Sequence, residues 1–414
     1  MNILYIAYSC SPVHGSEDAI GWNIPAESAR ENGVYVITKE EQRPYIEAYI
    51  RENPIENIQF FYGDIPVWCK HLFRGPFYSG RLNIWHKYAQ KLAQLICAEN
   101  KIDVIHQITP IEFRSIGHYG RIPGVKFVCG PIAGGQKIEP CLLDYTGPHK
   151  PMEQIRSIIN RFFRVKLSIA RTLKDCDCVL YANNETKEFL SGLDLPDLGQ
   201  QVQSEVGIRE SQLRSKEHPN QDRVGCCFLV AGRLVYLKGH RYLFDALKQL
   251  DPNLEYQCRI VGDGPERQAL EESCHALGLS NRVHFTGGIP YSEMEKEYEN
   301  ADVLVFPSLR EATGTVILEA MARGIPVVTM NKFGGATILD DDCGWLCAGT
   351  DKASYIESLK RAMTACIQNP AEVVRRGENA RMKARQYTWE LKNQYYRSLY
   401  SKLCAGKWSA ANKW

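Results

Sequence analysis

Two carboxylates, Glu311 and Glu319, stand eight positions apart in the stretch from Val303 to Gly324, VLVFPSLREATGTVILEAMARG. Its first residues read as a buried strand ending at Pro307, a loop then carries Glu311, and a helix is predicted from near Thr315 to Gly324, where Pro326 prevents continuation. Glu319 falls inside that helix. Gly314 and Thr315 fall where the first backbone amides of the helix are free, and such amides attract an anionic phosphate. Acids in a loop and on a helix are also ordinary surface residues, so the pair alone leaves both readings open. Arg233 and Lys238, in AGRLVYLKG, follow another predicted strand. Fixed cations there suit a diphosphate leaving group, because negative charge grows on it as the bond to it breaks.

The run IVGDGPE from Ile260 to Glu266 has glycines that permit a tight strand-to-helix turn with the backbone close to its neighbours, which makes it chiefly structural. In the first half, Gly15 and Ser16 lie in a loop after the first strand, where glycine lets the backbone approach a ligand, and Gly21-Trp22 follow. Pro25 argues that the next helix starts late or is kinked. His106, in DVIHQ, sits at the end of a strand, where it is either a sugar-contacting group or a satisfied interior histidine. Gly130 to Gln136 reads as a glycine-rich loop at the end of the next strand.

No metal site is expected. The fifteen cysteines are scattered without C-x-x-C spacing and read as reduced, mostly buried thiols of a cytosolic protein, while Asp340-Asp341-Asp342 reads as a solvated turn.

Short β-branched runs alternate with longer helical stretches, and strands are expected at 3–7, 34–38, 58–62, 104–106, 126–129 and 178–181. The rhythm breaks at a polar stretch, Arg209 to Arg223, and restarts with strands at 227–230, 257–261, 283–285, 303–306 and 327–329. An α/β protein with two doubly wound, Rossmann-like domains follows. The expected boundaries are 1–208, 209–388 and a C-terminal helix, 389–414, crossing back to the first domain after a restart at Thr388. Ligands of such sheets sit beyond the carboxyl ends of the strands, so two such domains are expected to face one another across a cleft.

The 414 residues, 44% of them hydrophobic, suit two cores. With 50 basic and 48 acidic residues there is no overall field to draw nucleic acid. No apolar run reaches the ~18 residues of a membrane span. Residues 70–91 and 154–174 are basic without an acid and interleaved with large apolar side chains. They read either as helices with solvated charges or as surfaces for an anionic membrane.

The AGRLVYLKG, IVGDGPE and Glu-x7-Glu stretches, in this order, with AMARGIPV after the second glutamate, resemble glycosyltransferase family 4, retaining enzymes of GT-B fold. The resemblance covers the whole second domain, and the first looks like a more divergent form. It implies a nucleoside diphosphate sugar as donor, no metal or other cofactor, and a glycan or lipid-linked acceptor in cell-surface polysaccharide assembly. The implied location is the cytoplasm, with peripheral contact at the inner membrane face. By resemblance Glu311 lies near the reacting face of the donor sugar, Glu319 on the ribose hydroxyls, Arg233 and Lys238 on the diphosphate, and Gly15, Ser16, Gly314 and Thr315 against phosphate and sugar. His106 takes the place of a sugar-contacting histidine that relatives carry two positions further on, where this chain has Ile108. Ala312-Thr313-Gly314 departs from the usual Gly-Phe-Gly, so donor identity does not carry over. The rival readings are a nucleotide-sugar epimerase or hydrolase on the same fold, and a noncatalytic scaffold.

Overall fold

The computed structural model describes residues 1–66, 69, 78–165, 167–193, 201–214 and 225–406. Among these residues the strands form two sheets. The first contains β1 (Asn2–Ala7), β2 (Gly33–Lys39), β3 (Ile58–Gly63), β4 (Val104–Thr109), β5 (Lys126–Ile132), β6 (Cys178–Tyr181) and β7 (Gln201–Val202), in the order β3-β2-β1-β4-β5-β6-β7. The second contains β8 (Cys226–Ala231), β9 (Tyr256–Val261), β10 (Val283–Gly287), β11 (Val303–Phe306), β12 (Val327–Met330) and β13 (Gly344–Cys347), in the order β10-β9-β8-β11-β12-β13. Each described pairing is parallel.

Parallel strands are covered on both faces, so their sequences are apolar throughout rather than alternating. Every residue of β4, β8 and β11 is buried. In each sheet the order reverses beside its first strand, between β1 and β4 and between β8 and β11. That reversal opens a crevice beyond the carboxyl ends, because helices leave the two neighbouring strands toward opposite faces. The position of Arg233, Lys238 and Glu311 follows from it: they lie in the loops after β8 and β11.

The chain divides into two compact units, one of Met1–Gly135, Ile158–Gly207 and Trp389–Trp414, the other of Gln136–Ser157 and Ile208–Thr388. The expected boundary at 208 therefore needs correction in one place: 136–157, assigned from sequence to the first domain, packs with the second. Ile138 and Leu142 are buried in its core with Phe228, Tyr242 and Leu243, and the Tyr242 hydroxyl donates to the Leu142 carbonyl at 2.7 Å. No composition change marks this excursion.

Other departures are local. The first helix, Glu17–Ser28, begins directly after Ser16 and runs through Pro25, rather than starting late. Proline there forgoes one ladder bond, the one its amide would donate to the Gly21 carbonyl. The strands β7 and β13, not expected from sequence, are edge strands, one of two residues and one containing glycine and tryptophan. Of the polar stretch expected as a linker, 209–214 is described and includes a short 3-10 turn, Glu210–Gln212; 215–224 lie outside the described residues.

Candidate functional site

The loop after β8 carries Arg233 and ends in a 3-10 turn, Tyr236–Lys238; the loop after β11 runs from Pro307 to Gly314. The Leu309 amide donates to the Leu237 carbonyl at 2.8 Å, joining the two loops by their backbones. At their tips the Lys238 ammonium forms an ion pair with the Glu311 carboxylate. Both side chains are partly open, 22% and 26% exposed, so an arriving anion can reach the lysine. Lys238 Nζ also lies 4.7 Å from the ring centroid of Phe306, which holds it by its cation–π attraction.

Gly314 precedes the helix Thr315–Ala322 with φ 91°, a backbone that L-residues with side chains rarely adopt, and provides no side-chain cap. The first amides of that helix thus start beside Glu311 without a capping side chain. Arg233 is exposed on the same rim, and its side chain makes no hydrogen bond or ion pair with another described residue. The IVGDGPE turn supports this loop from behind. A Cβ on Gly262 would lie 1.9 Å from the Gly232 carbonyl oxygen, so only glycine allows the approach.

Glu319, inside the helix, is 8% exposed. Tyr291 donates to its Oε1 at 2.9 Å and Tyr298 to its Oε2 at 2.7 Å. Burial, and then the neighbouring carboxylate, push both phenols above the usual tyrosine range, which keeps them protonated donors. The carboxylate is thereby held in one orientation, with lone pairs left for further hydroxyl donors. The tyrosine partners are separated from Glu319 by 28 and 21 residues, and nothing in the sequence singled them out.

The structure corrects the reading of His106 as a sugar-contacting group. It is fully buried in β4; Nε2 lies 2.7 Å from the Gly130 carbonyl and Nδ1 2.6 Å from the Tyr400 hydroxyl. A carbonyl only accepts, so Nε2 bears the proton and Nδ1 accepts from Tyr400. Burial depresses its pKa to about 3, and the ring is neutral. Ile108, at the relatives' histidine position, is also buried. Gly15 and Ser16 are exposed beyond the carboxyl end of β1, at the reversal point of the first sheet, with Ser16 at φ 57° immediately before the helix Glu17–Ser28.

Residues 211–383 match the family model for glycosyl transferases group 1. An uncharacterized glycosyltransferase of Methanocaldococcus jannaschii is 28% identical over 250 residues, 58% of this chain and 60% of that protein. A D-inositol 3-phosphate glycosyltransferase of Corynebacterium urealyticum is 34% identical over 182 residues, 42% of each chain. The chain thus spans about half the length of the relatives it matches. Among solved structures, HepE of Anabaena in complex with UDP superposes with a TM-score of 0.66 at 16% identity, covering 97% of this chain and 100% of that one. The lipopolysaccharide outer core galactosyltransferase WaaB, in its apo form, gives 0.65 at 17% identity with the same coverage. These likenesses establish the two-domain α/β fold called GT-B. All six donor-site positions named in the second half, Arg233, Lys238, Glu311, Gly314, Thr315 and Glu319, fall inside the matched segment.

The two basic segments are partly described. Residues 70–77 lie outside the described chain. The remainder of the first is on the helix Tyr78–Glu99, whose Leu82 and Trp85 face inward while Lys87, Tyr88 and Lys91 are exposed. The second begins in the helix Lys150–Val165, where Met152, Ile155, Ile158 and Phe162 recur at helical spacing and are each more than half exposed. Among the described residues no helix is long and apolar enough to cross a membrane. Asp340, first of the three adjacent aspartates, pairs with Lys383 and accepts the Asp342 amide, as a turn residue does.

Proposed function

We propose that the chain is a retaining glycosyltransferase of family 4 type, moving a sugar from a nucleoside diphosphate sugar to a hydroxyl of a glycan or lipid-linked acceptor in cell-surface polysaccharide assembly. The observation that carries this reading is the Lys238–Glu311 pair beyond β8 and β11, beside an uncapped helix start and inside the segment matched by the family model. The carbon–oxygen bond between the sugar's anomeric carbon and the diphosphate breaks, and its electron pair leaves with the diphosphate. The acceptor oxygen bonds to that carbon from the same face, and its proton passes to the departing phosphate oxygen. Lys238 and Arg233 supply positive charge as the diphosphate leaves, Glu311 holds the sugar, and Glu319 takes the ribose hydroxyls. In this proposal no metal or other cofactor enters the step, and Gly15 and Ser16 are further donor contacts.

HepE was solved with UDP and with UDP-glucose, which supports a nucleotide sugar as co-substrate. For a lipid-linked acceptor the proposed location is cytoplasmic, at the inner membrane face. The exposed Met152, Ile155, Ile158 and Phe162 face supports that contact, which cosedimentation with phosphatidylglycerol vesicles tests. The main test is turnover of UDP- and GDP-sugars with a glycan acceptor in Lys238→Ala and Glu311→Ala. Each should fall by roughly 100-fold or more, as removal of a group that stabilises transition-state charge does. Undiminished rates would exclude the assignment, and donor consumption without a glycoside product would favour an epimerase or hydrolase.

A further inference from the structure

The segment 136–157, which the second unit takes from the first half of the sequence, meets both site loops at residues next to Lys238 and Glu311. Glu153, only 7% exposed at its side chain, accepts a hydrogen bond from the Tyr236 hydroxyl on Oε1 at 2.7 Å and pairs through Oε2 with the Arg310 guanidinium. Tyr236 lies two residues before Lys238, and Arg310 one residue before Glu311. The same segment stacks His149 on the Tyr236 ring, at 4.2 Å between centroids and 9° between planes. It also sends Gln136 Nε2 to the Glu311 carbonyl at 3.2 Å. Burial first, and then Glu153, push the Tyr236 phenol up to about 12, so it remains a donor.

We propose that Glu153 is a positioning residue that bridges the loops after β8 and β11 through Tyr236 and Arg310, fixing the separation of Lys238 and Glu311 when a diphosphate draws the lysine away. The inference rests on reading Lys238 and Glu311 as donor residues. The direct link between the tips, the Lys238–Glu311 ion pair, is the one a bound diphosphate competes for, since it offers the ammonium a stronger anionic partner. The Glu153 bonds lie outside that competition. They also hold Arg310 away from Glu311, the carboxylate next to it in sequence. Loss of the Glu153 charge would leave a largely enclosed guanidinium without its partner, which then seeks another acid.

The test is amide hydrogen exchange of the full chain, with and without UDP or GDP, in Glu153→Gln and Tyr236→Phe. In Glu153→Gln, exchange across both 233–239 and 308–314 should quicken by about tenfold relative to the unsubstituted protein, while core strands β8 and β11 keep their protection. In Tyr236→Phe, which removes one hydroxyl and no charge, only 233–239 should quicken. The dissociation constant of UDP or GDP should rise by about tenfold in Glu153→Gln. In an Arg310→Gln background that substitution should add less than twofold, because residues of one bridge are not additive. Unchanged exchange in both loops overturns the bridge, whether or not a nucleotide binds. Quickened exchange in a chain that binds neither UDP nor GDP upholds the bridge and removes the donor reading instead.

Discussion

Gly314 shows how one backbone angle serves the site. At φ 91° a side chain is strained, and a Cβ there would lie 3.1 Å from Phe306 Cζ, the ring over which Lys238 rests. Gly314→Ala should therefore act twice: the unfavourable backbone costs about 1–2 kcal/mol, and the displaced ring shifts the lysine. Melting of the second unit should fall by roughly 2–4 °C per kcal/mol, the range for a domain of about 150–250 residues, and nucleotide-sugar turnover should fall by about tenfold or more from a misplacement near 1 Å. A variant that melts lower and turns over normally would show that Phe306 does not set the lysine's position. At this scale the sequence displayed Glu311, Glu319, Arg233 and Lys238, because residue type and local spacing are visible in one dimension. It could not display Phe306 under Lys238, the tyrosines on Glu319, or Glu153, which reaches Arg310 across 157 positions. His106 was misread for the same reason: its type was visible and its enclosure was not.

His106 finds its role at the scale of an element, in holding the C-terminal helix, Trp389–Cys404. The Tyr400 hydroxyl bonds its ring, Tyr396 packs edge-on to it at 5.1 Å, and the buried Lys392 ammonium donates to the Ser204 carbonyl. The sequence predicts that this helix restarts at Thr388 as a polar N-cap, and in the structure Thr388 is extended, with the helix starting at Trp389. Which side chains it packs on, His106 among them, was beyond local pattern. A pH dependence follows from the histidine. Its folded pKa, about 3, lies below the ordinary 6.5, so the unfolded chain takes up the proton first. Its contribution to stability is complete above pH 6.5 and is lost as pH falls toward 3, by up to about 1.4 kcal/mol per pH unit. His106→Gln should lower the urea midpoint at pH 7.5, and its deficit against the unsubstituted protein should shrink at pH 5. His86, likewise held near pKa 3 by burial, keeps some acid sensitivity in both proteins. A deficit constant from pH 7.5 to 5 would mean that protonation of His106 is not coupled to unfolding.

For the whole molecule, the alternation of strands and helices made two doubly wound sheets legible, because a parallel strand buried on both faces must be apolar along its length. The partition of the chain between the units was not legible, since 136–157 leaves and rejoins the first unit without a change in composition. This partition decides what can fold alone. A fragment of 209–388, cut where sequence suggests a boundary, lacks Ile138 and Leu142, both at most 5% exposed in the second core. It also leaves the buried Tyr242 hydroxyl without the Leu142 carbonyl, and Arg310 and Lys332 without Glu153 and Glu139. Emptying an interior leucine or isoleucine site costs roughly 2–5 kcal/mol, against a total stability of about 5–15 kcal/mol for a domain. Two such sites therefore consume most of it. The fragment 209–388 should lack a cooperative thermal transition by circular dichroism, and the same fragment carrying 136–157 through a flexible linker should regain one. Equal, cooperative melting of both would mean that the inserted segment decorates the second unit, in which case its hold on the site loops would be local and not part of what folds that half of the chain.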